Sequence, residues 1–438
     1  MRKRADAIFL LLALSLAAGA RAQDTMRLSL REAVQVALRQ NPQVQIAMLN
    51  TAQSQQDALI ARSALLPQVT LDGLERVQRL NLEAVLGRRF PGLPQHAGPF
   101  AIFQAGPNFS FPVFDLSLLR RWQASRHGAH ASEAQQQTVR EQVVLLVVSQ
   151  YQAGLRAAAD VQAAESRVQL AQALYDQAAD LQRAGVGTGI DTLRANVQLQ
   201  NERQRLIIAR TQLKTSLYGL ARLLNLDPRA EVALTDQVSF FETPAFGAEQ
   251  SIERALEARP EIQALKFREQ AVELQKKASG DSRLPSLRGL GGWAYMGLRP
   301  NNSIPSYQYQ AVVDIPVFSG GRIRAETARA DLELKKIAAQ RQDLSAQIAL
   351  EVKTALEVLL AGRSEVEVAG LGVNLAQEEV GQARDRFQAG VANNIEVINA
   401  QNELARANDN QIAALYRYNQ ARAQLAHATG QIQALYVK

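Results

Sequence analysis

The sequence predicts a mixed fold, in which long α-helical hairpins are combined with four membrane-type β-strands per chain. Three observations predict it. The punctuation of the chain repeats: Pro42 and Pro67 are matched by Pro260 and Pro285 at an offset of 218, Pro112 is matched by Pro316, and Ala184-Gly185-Val186-Gly187-Thr188-Gly189-Ile190-Asp191 is matched by Ala389-Gly390-Val391-Ala392-Asn393-Asn394-Ile395-Glu396 at an offset of 205. All 14 prolines lie within 42–112 and 228–316, so 113–227 and 317–438 hold none. Near Pro112 and Pro316 the apolar period switches from that of a coiled coil to strict alternation.

The first element is a leader. Arg2, Lys3 and Arg4 precede an apolar run from Ile8 to Ala18, and Ala20-Arg21-Ala22 is a small-x-small cleavage site. The run is well short of the ~20 residues that a spanning helix needs. Residues 1–22 are therefore expected to be a signal peptide, followed by a first repeat over 23–227, a linker over 228–250 and a second repeat over 251–438. The chain has 0 cysteines, which excludes a disulfide framework, a thiolate metal site and a lipidated cysteine after the leader. Its formal charge of +7 is spread along the chain rather than gathered in a block, so nucleic acid is not expected as a partner.

The proline-free stretches are rich in Ala, Gln, Leu, Arg and Glu, all good helix formers. Each is interrupted once, at the Gly185 and Gly390 loops, which predicts two hairpins with very long arms. Residues 322–388 as one helix would run on the order of 100 Å. Val352, Leu359, Val366, Val373, Val380 and Phe387 recur every seven residues, and Ala355, Gly362, Ala369, Ala376 and Ala383 follow three places behind. Val397, Leu404, Tyr418 and Leu425 alternate with Ala400, Ala407, Ala414, Ala421 and Ala428 on the return arm. The first repeat shows the same device, with Val147, Val161, Val168 and Tyr175 against Ala157, Ala164, Ala171 and Ala178. Such a repeat keeps one seam facing a partner, and each large side chain fills the space above a small one.

The strands follow. In 307–317, Tyr307, Tyr309, Ala311, Val313, Ile315 and Val317 alternate with Gln308, Gln310, Val312, Asp314 and Pro316. In 103–113, Phe103, Ala105, Phe109, Phe111 and Val113 alternate with Gln104, Gly106, Asn108, Ser110 and Pro112. Weaker alternation marks 67–77 and 287–296. A half-buried soluble sheet shows the same pattern, but the neighbouring helices are too thin to cover a sheet, which favours the membrane. Four strands cannot close a barrel, and lipid does not tolerate open edges, so the chain is expected to oligomerise: a dimer gives eight strands, a trimer twelve. The loops 78–100 and 297–306 would face the outside.

Leu28-Ser29-Leu30-Arg31-Glu32-Ala33, Asn41-Pro42, Leu66-Pro67, Ile315-Pro316-Val317-Phe318-Ser319-Gly320-Gly321 and the run from Gly390 to Glu396 followed by Ala400-Gln401 resemble the outer-membrane efflux protein (TolC) family over nearly all of 28–430. The resemblance implies a homotrimer, with a twelve-stranded barrel in outer-membrane lipid and a twelve-helix tunnel across the periplasm. It implies an exit duct of a tripartite efflux pump or a type I secretion system, bound to a periplasmic adaptor and through it to an inner-membrane pump. It implies no catalysis, cofactor or metal. The alternative reading is a soluble periplasmic coiled-coil adaptor or scaffold.

Candidate sites gather at the hairpin tips. Ala184, Gly185, Val186, Ala389, Gly390 and Val391 are expected to contact the adaptor, as the resemblance implies, and the two glycines also suit helix C-caps. Asp191 and Glu396 occupy matched places just after the breaks. They either cap helices or, facing the lumen under threefold symmetry, form carboxylate rings that favour cations. Phe387 and Ala392 stand where family members often carry a tyrosine and an arginine that hold the entrance shut, so Phe387 is a gate candidate that closes by packing. Gly185-x-Gly187-x-Gly189 follows a helix and lacks a lysine, which excludes a phosphate loop. His127 and His130 share a helix face but have no further ligand nearby.

Overall fold

The computed structural model describes residues 26–236, 247–389, 391–392 and 394–437. The expected leader and the middle of the inter-repeat linker lie outside the described residues. The first repeat runs β1 (Met26–Leu28), α1 (Leu30–Gln40), α2 (Pro42–Ser63), β2 (Gln68–Asn81), a short α3 (Leu82–Leu86), β3 (His96–Phe114), α4 (Leu116–Arg183) and α5 (Gly189–Leu223). After β4 (Val232–Leu234), the second runs α6 (Ala248–Ala258), α7 (Pro260–Asp281), β5 (Ser286–Gly297), β6 (Ile304–Asp314), α8 (Arg322–Gln388), α9 (Asn394–Ala428) and α10 (Ile432–Tyr436). Each repeat thus reads helix pair, two strands, long hairpin. The residues divide into two compact units that cut across the repeats. One is Met1–Met48, Gln135–Ile262 and Asp343–Lys438; the other is Leu49–Ala134 and Gln263–Gln342.

In the first unit the helical seams are buried as the heptads require. Val352, Leu359 and Val380 of α8 are buried, with Ala355, Ala376 and Ala383 between them, and Val397, Ala400, Ala414, Tyr418, Ala421 and Leu425 of α9 face them. A Cβ added to Gly362 would stand 3.4 Å from the Tyr418 backbone, so the small residue sets how close the two helices come. The unit also holds a corner invisible to periodicity. β1 and β4, of three residues each, pair in parallel. Fully buried Tyr151 donates a hydrogen bond from its hydroxyl to the Leu28 carbonyl at 2.9 Å and lies 3.0 Å from an Asp236 carboxylate oxygen. That same oxygen accepts the Leu30 N–H at 2.7 Å. Ser29 and Glu32 close a capping box on α1, which fixes where the first helix begins.

The second unit holds a four-stranded antiparallel sheet in the order β2-β3-β5-β6. Its register places Phe109 opposite Gly291 and Gly291 opposite Tyr309, all on the apolar face. The Phe109 ring lies over the bare backbone of Gly291, where an added Cβ would meet it at 2.1 Å, and Phe111 covers Gly289 in the same way. Trp293 packs edge-on to Tyr295, and Tyr307 lies beside Tyr309, giving this face an aromatic row. The other face is polar and uncharged over much of its length. Gln68, Thr70, Gln104, Asn108, Gln308 and Gln310 border a recess of about 490 Å³ on that face. Its acid Asp72 accepts from Asn108 at 2.7 Å and from Thr70 at 3.1 Å. No helix among the described residues is long and apolar enough to cross a membrane.

Several strand boundaries differ from expectation. β2 and β3 extend past 77 and start before 103, so part of the 78–100 loop is ladder. β6 stops at Asp314, although the alternation continues through Ile315 and Val317. Pro316 has no N–H to donate to a ladder, and Gly320 and Gly321, with φ of 59° and 82°, turn the chain into α8. Val317 and Phe318 are left 94% and 89% exposed.

Enlarging a seam alanine tests the packing. Ala421→Leu should lower the unfolding temperature, by an overpacking cost of about 1–3 kcal/mol. Lys353→Gln, at an exposed polar position of α8, should leave it unchanged in thermal melts of detergent-solubilised protein.

Candidate functional site

The two hairpin tips share one backbone design. At the end of α4 the chain passes through left-handed Gly185 (φ 77°). The Gly185 N–H reaches the Gln182 carbonyl at 3.1 Å, and the Val186 N–H reaches the Leu181 carbonyl at 3.0 Å. This is the glycine-terminated Schellman closure. At the end of α8 the matched Val391 N–H reaches the Arg386 carbonyl at 3.0 Å, and Ala389 bonds Asp385 at 3.0 Å as Ala184 bonds Asp180 at 2.9 Å. Gly390 itself lies outside the described residues. Ala184, Gly185, Val186, Ala389 and Val391 are all exposed, with Val186 at 80% and Val391 at 72%.

The matched acids differ in their partners. Asp191 sits in the first turn of α5, accepts a hydrogen bond from the Thr188 hydroxyl, and lies 3.9 Å from Arg194. Glu396 pairs across the tip with Arg386 of α8 at 2.8 Å. The two repeats part here, since Arg386 stands where the first repeat has Leu181. Phe387 packs against the buried cluster of Val380, Ala383, Val397 and Ala400. It also borders, with Leu181, Val186 and Asp191, a cavity of about 190 Å³ at the first tip. The structure thus brings Phe387 and Asp191 to one cavity and joins Glu396 to Arg386.

Sequence reasoning missed the polar ties between the hairpins. Arg167 of α4 reaches Asp409 of α9 at 2.9 Å and buried Glu202 of α5 at 3.4 Å. Gln198 of α5 donates to Asn402 of α9 at 3.3 Å, and the Arg156 guanidinium lies over the Tyr416 ring at 5.4 Å. Burial raises the carboxyl of Asp160 nearby, with Arg156 and Arg167 opposing and Asp409 adding to the rise. His127 and His130 meet edge-on near Phe267, and His130 bonds Glu133 at 3.0 Å. No group of three or more potential ligands of metal-binding type occurs among the described residues.

A second charged site lies where the helix pair of the second repeat meets the hairpin. Arg259 and Asn41 are matched C-caps just before Pro260 and Pro42, each returning its N–H to an alanine carbonyl four residues back. Asn41 is neutral and donates its amide to the Leu223 carbonyl at 2.8 Å. Arg259 is buried, held by Glu261 at 2.9 Å and by Glu351 of α8 at 2.5 Å. Buried Glu141 of α4 faces the same group; burial and the Glu261 charge push its carboxyl up to about 7, against Arg259 and a hydrogen bond from Gln137. Burial, with the nearby Arg259 charge, holds the His427 imidazole below its usual range, partly offset by Glu261 and Glu351.

Seamed helical hairpins joined to a small sheet that is apolar on one face and polar on the other are the protomer architecture of an outer-membrane channel. Residues 33–226 and 251–431 match the model of the outer membrane efflux protein family, and the chain belongs to that family. A curated relative is the alkaline protease secretion protein AprF of Pseudomonas aeruginosa, 23% identical over 427 residues that cover 93% of this chain and 85% of that protein. The fold is that of the Campylobacter jejuni CmeC outer membrane channel (TM-score 0.79, 18% identity, 92% of this chain and 86% of that one). It is also that of the Neisseria gonorrhoeae MtrE outer membrane channel, solved in its open state (TM-score 0.77, 16% identity, 92% and 89%). The protein is an outer-membrane efflux channel with a periplasmic helical extension.

The Glu141 group sets a pH dependence. A carboxyl raised in the folded state gives stability that is full below its unfolded value and is lost as pH rises through about 7. Between pH 5 and pH 8 the unfolding temperature of the wild type should fall more than that of Glu141→Gln; parallel curves would contradict the burial of an ionisable proton there.

Proposed function

We propose that three copies of this chain form a continuous duct, and that the carrying observation is the open four-stranded sheet. Its outer strands β2 and β6 each have one unpaired edge, and its apolar, aromatic face suits lipid. Joining β2 of one copy to β6 of the next closes twelve strands, with the amide-rich face lining the lumen. The helices support the same assembly. Ile190, Leu193 and Val197 of α5 and Val368, Leu371 and Leu375 of α8 are exposed at helical spacing, as flanks buried between copies would be. The duplication then makes six similar hairpins around one axis, built from residues 23–227 and 251–438 and joined by 228–250.

In this reading the tips at Ala184–Val186 and Ala389–Val391 meet a periplasmic adaptor, which links the duct to an inner-membrane pump. The Schellman closure at Gly185 and the matched Val391–Arg386 backbone bond hold the exposed backbone for that contact. Asp191 and Glu396 line the entrance, and Phe387 narrows it by packing rather than by a hydrogen-bonded latch. Arg386 offsets much of the Glu396 charge, so cation preference at the second tip depends on that pair opening. The duct carries cargo without chemical change. One relative is named for protease secretion and the solved neighbours are channels, so cargo choice is assigned to the pump. A soluble scaffold would have no use for the apolar sheet face.

Planar-bilayer recording tests the duct and its gate together. The wild type should form ion-conducting pores with cation preference, and Glu396→Gln should reduce that preference and weaken block by multivalent cations. Pores with unchanged selectivity and block would remove Glu396 from the entrance, and the absence of pores would remove the duct.

A further inference from the structure

The end of the sheet that carries loops 82–95 and 298–303 is basic and apolar at once. It holds Arg76, Arg79, Arg88, Arg89 and Arg299 against Glu75 and Glu83. None of these five arginines is in an ion pair among the described residues. The other end of the sheet behaves differently: Arg288 pairs with Asp314 at 2.7 Å, Arg120 with Asp281 at 3.5 Å and Arg322 with Glu326 at 2.9 Å. Arg79 follows Val69, Leu71 and Val77 on the odd-numbered, apolar face of β2, and its guanidinium donates to the His96 ring at 2.6 Å across the ladder. Arg88 lies 4.5 Å above the Phe90 ring. Beside these cations, Val85, Leu86 and Leu93 are 67%, 47% and 51% exposed.

Unpaired guanidiniums suit phosphate, which they bind through paired hydrogen bonds. Apolar side chains interleaved with them mark a segment seated at the boundary between headgroups and acyl chains. A soluble anion would engage the arginines but leave Val85, Leu86 and Leu93 without a role. The surface is continuous with the lipid-facing side of β2, so its occupant lies in the membrane.

We propose that loop 82–95 and Arg79 form a binding site for the phosphate groups of an anionic glycolipid in the outer leaflet. Arg79, Arg88 and Arg89 hold the phosphates, while Val85, Leu86 and Leu93 rest against the acyl chains. Arg299 and Arg76 add positive potential from the neighbouring loop and from the luminal side of the same rim. The site rests on the reading that these loops open outward from the membrane.

The test uses the full protein extracted from outer membranes in mild detergent. Co-purified lipopolysaccharide is measured per protein, and binding is then measured to vesicles of phosphatidylcholine with lipid A or with dephosphorylated lipid A. The Arg79→Ala/Arg88→Ala/Arg89→Ala variant should retain roughly a hundredfold less lipid, the scale expected when three basic contacts to an anionic surface are lost. Dephosphorylated lipid A should bind the wild type as weakly as intact lipid A binds that variant. Val85→Ser/Leu86→Ser should weaken binding, and Arg288→Gln should not. Unchanged lipid content in a triple variant that still sits in the outer membrane as an oligomer overturns the site and leaves the duct intact. Displacement of lipid by millimolar inorganic phosphate, with the serine variant unaffected, overturns it in favour of a soluble anion. A wild type absent from the outer membrane overturns the duct itself.

Discussion

A polypeptide in lipid must pair every backbone donor and acceptor within protein, and four strands cannot do so alone. β2 and β6 each present an unpaired edge, and β2 is exposed along nearly its whole length. That deficit organises the molecule. In the proposed assembly it calls for other copies at both edges, and those copies would set how many helices surround the duct. Duplication would ease that geometry, because two similar hairpins per chain would let a few copies make a wide, nearly regular ring.

The helical part meets a different constraint. The proposed tube needs helices that pack closely yet bend around a hollow, and the large-over-small seam suits this. Tyr418 of α9 beside Gly362 of α8 brings the two backbones together without a thick core. The cost is low tolerance: each small residue is a contact, and its enlargement separates two helices over more than one turn. Charged ties such as Arg167 with Glu202 and Asp409 then set how the hairpins sit against each other, where apolar seams alone would allow sliding.

Much of this was legible in the residues. α8 occupies the span 322–388 foreseen from the absence of proline, and the alternation at 103–113 and 307–317 marks β3 and β6. The Ser29–Glu32 box and the Gly185 cap follow from local chemistry that acts over a few residues. The rest was hidden for physical reasons. β1 and β4 are too short for a period to show. The β6 boundary turned on one missing N–H at Pro316, against an alternation that ran on. The ion pairs of Arg167 with Asp409, 242 residues apart, and of Arg259 with Glu351, 92 apart, leave no local trace. Arg386 lies one turn before the break and pairs with Glu396, a charge with no counterpart in the first repeat, where Leu181 stands.

The mass of the assembled particle tests the central claim most directly. Native mass spectrometry of protein extracted from outer membranes should give three chain masses in one particle, stable until the detergent or heat that opens the sheet edges. A single chain mass, in a protein that leaves the membrane without detergent, would mean that the edges of β2 and β6 need no partner, and the account of a shared barrel would be wrong.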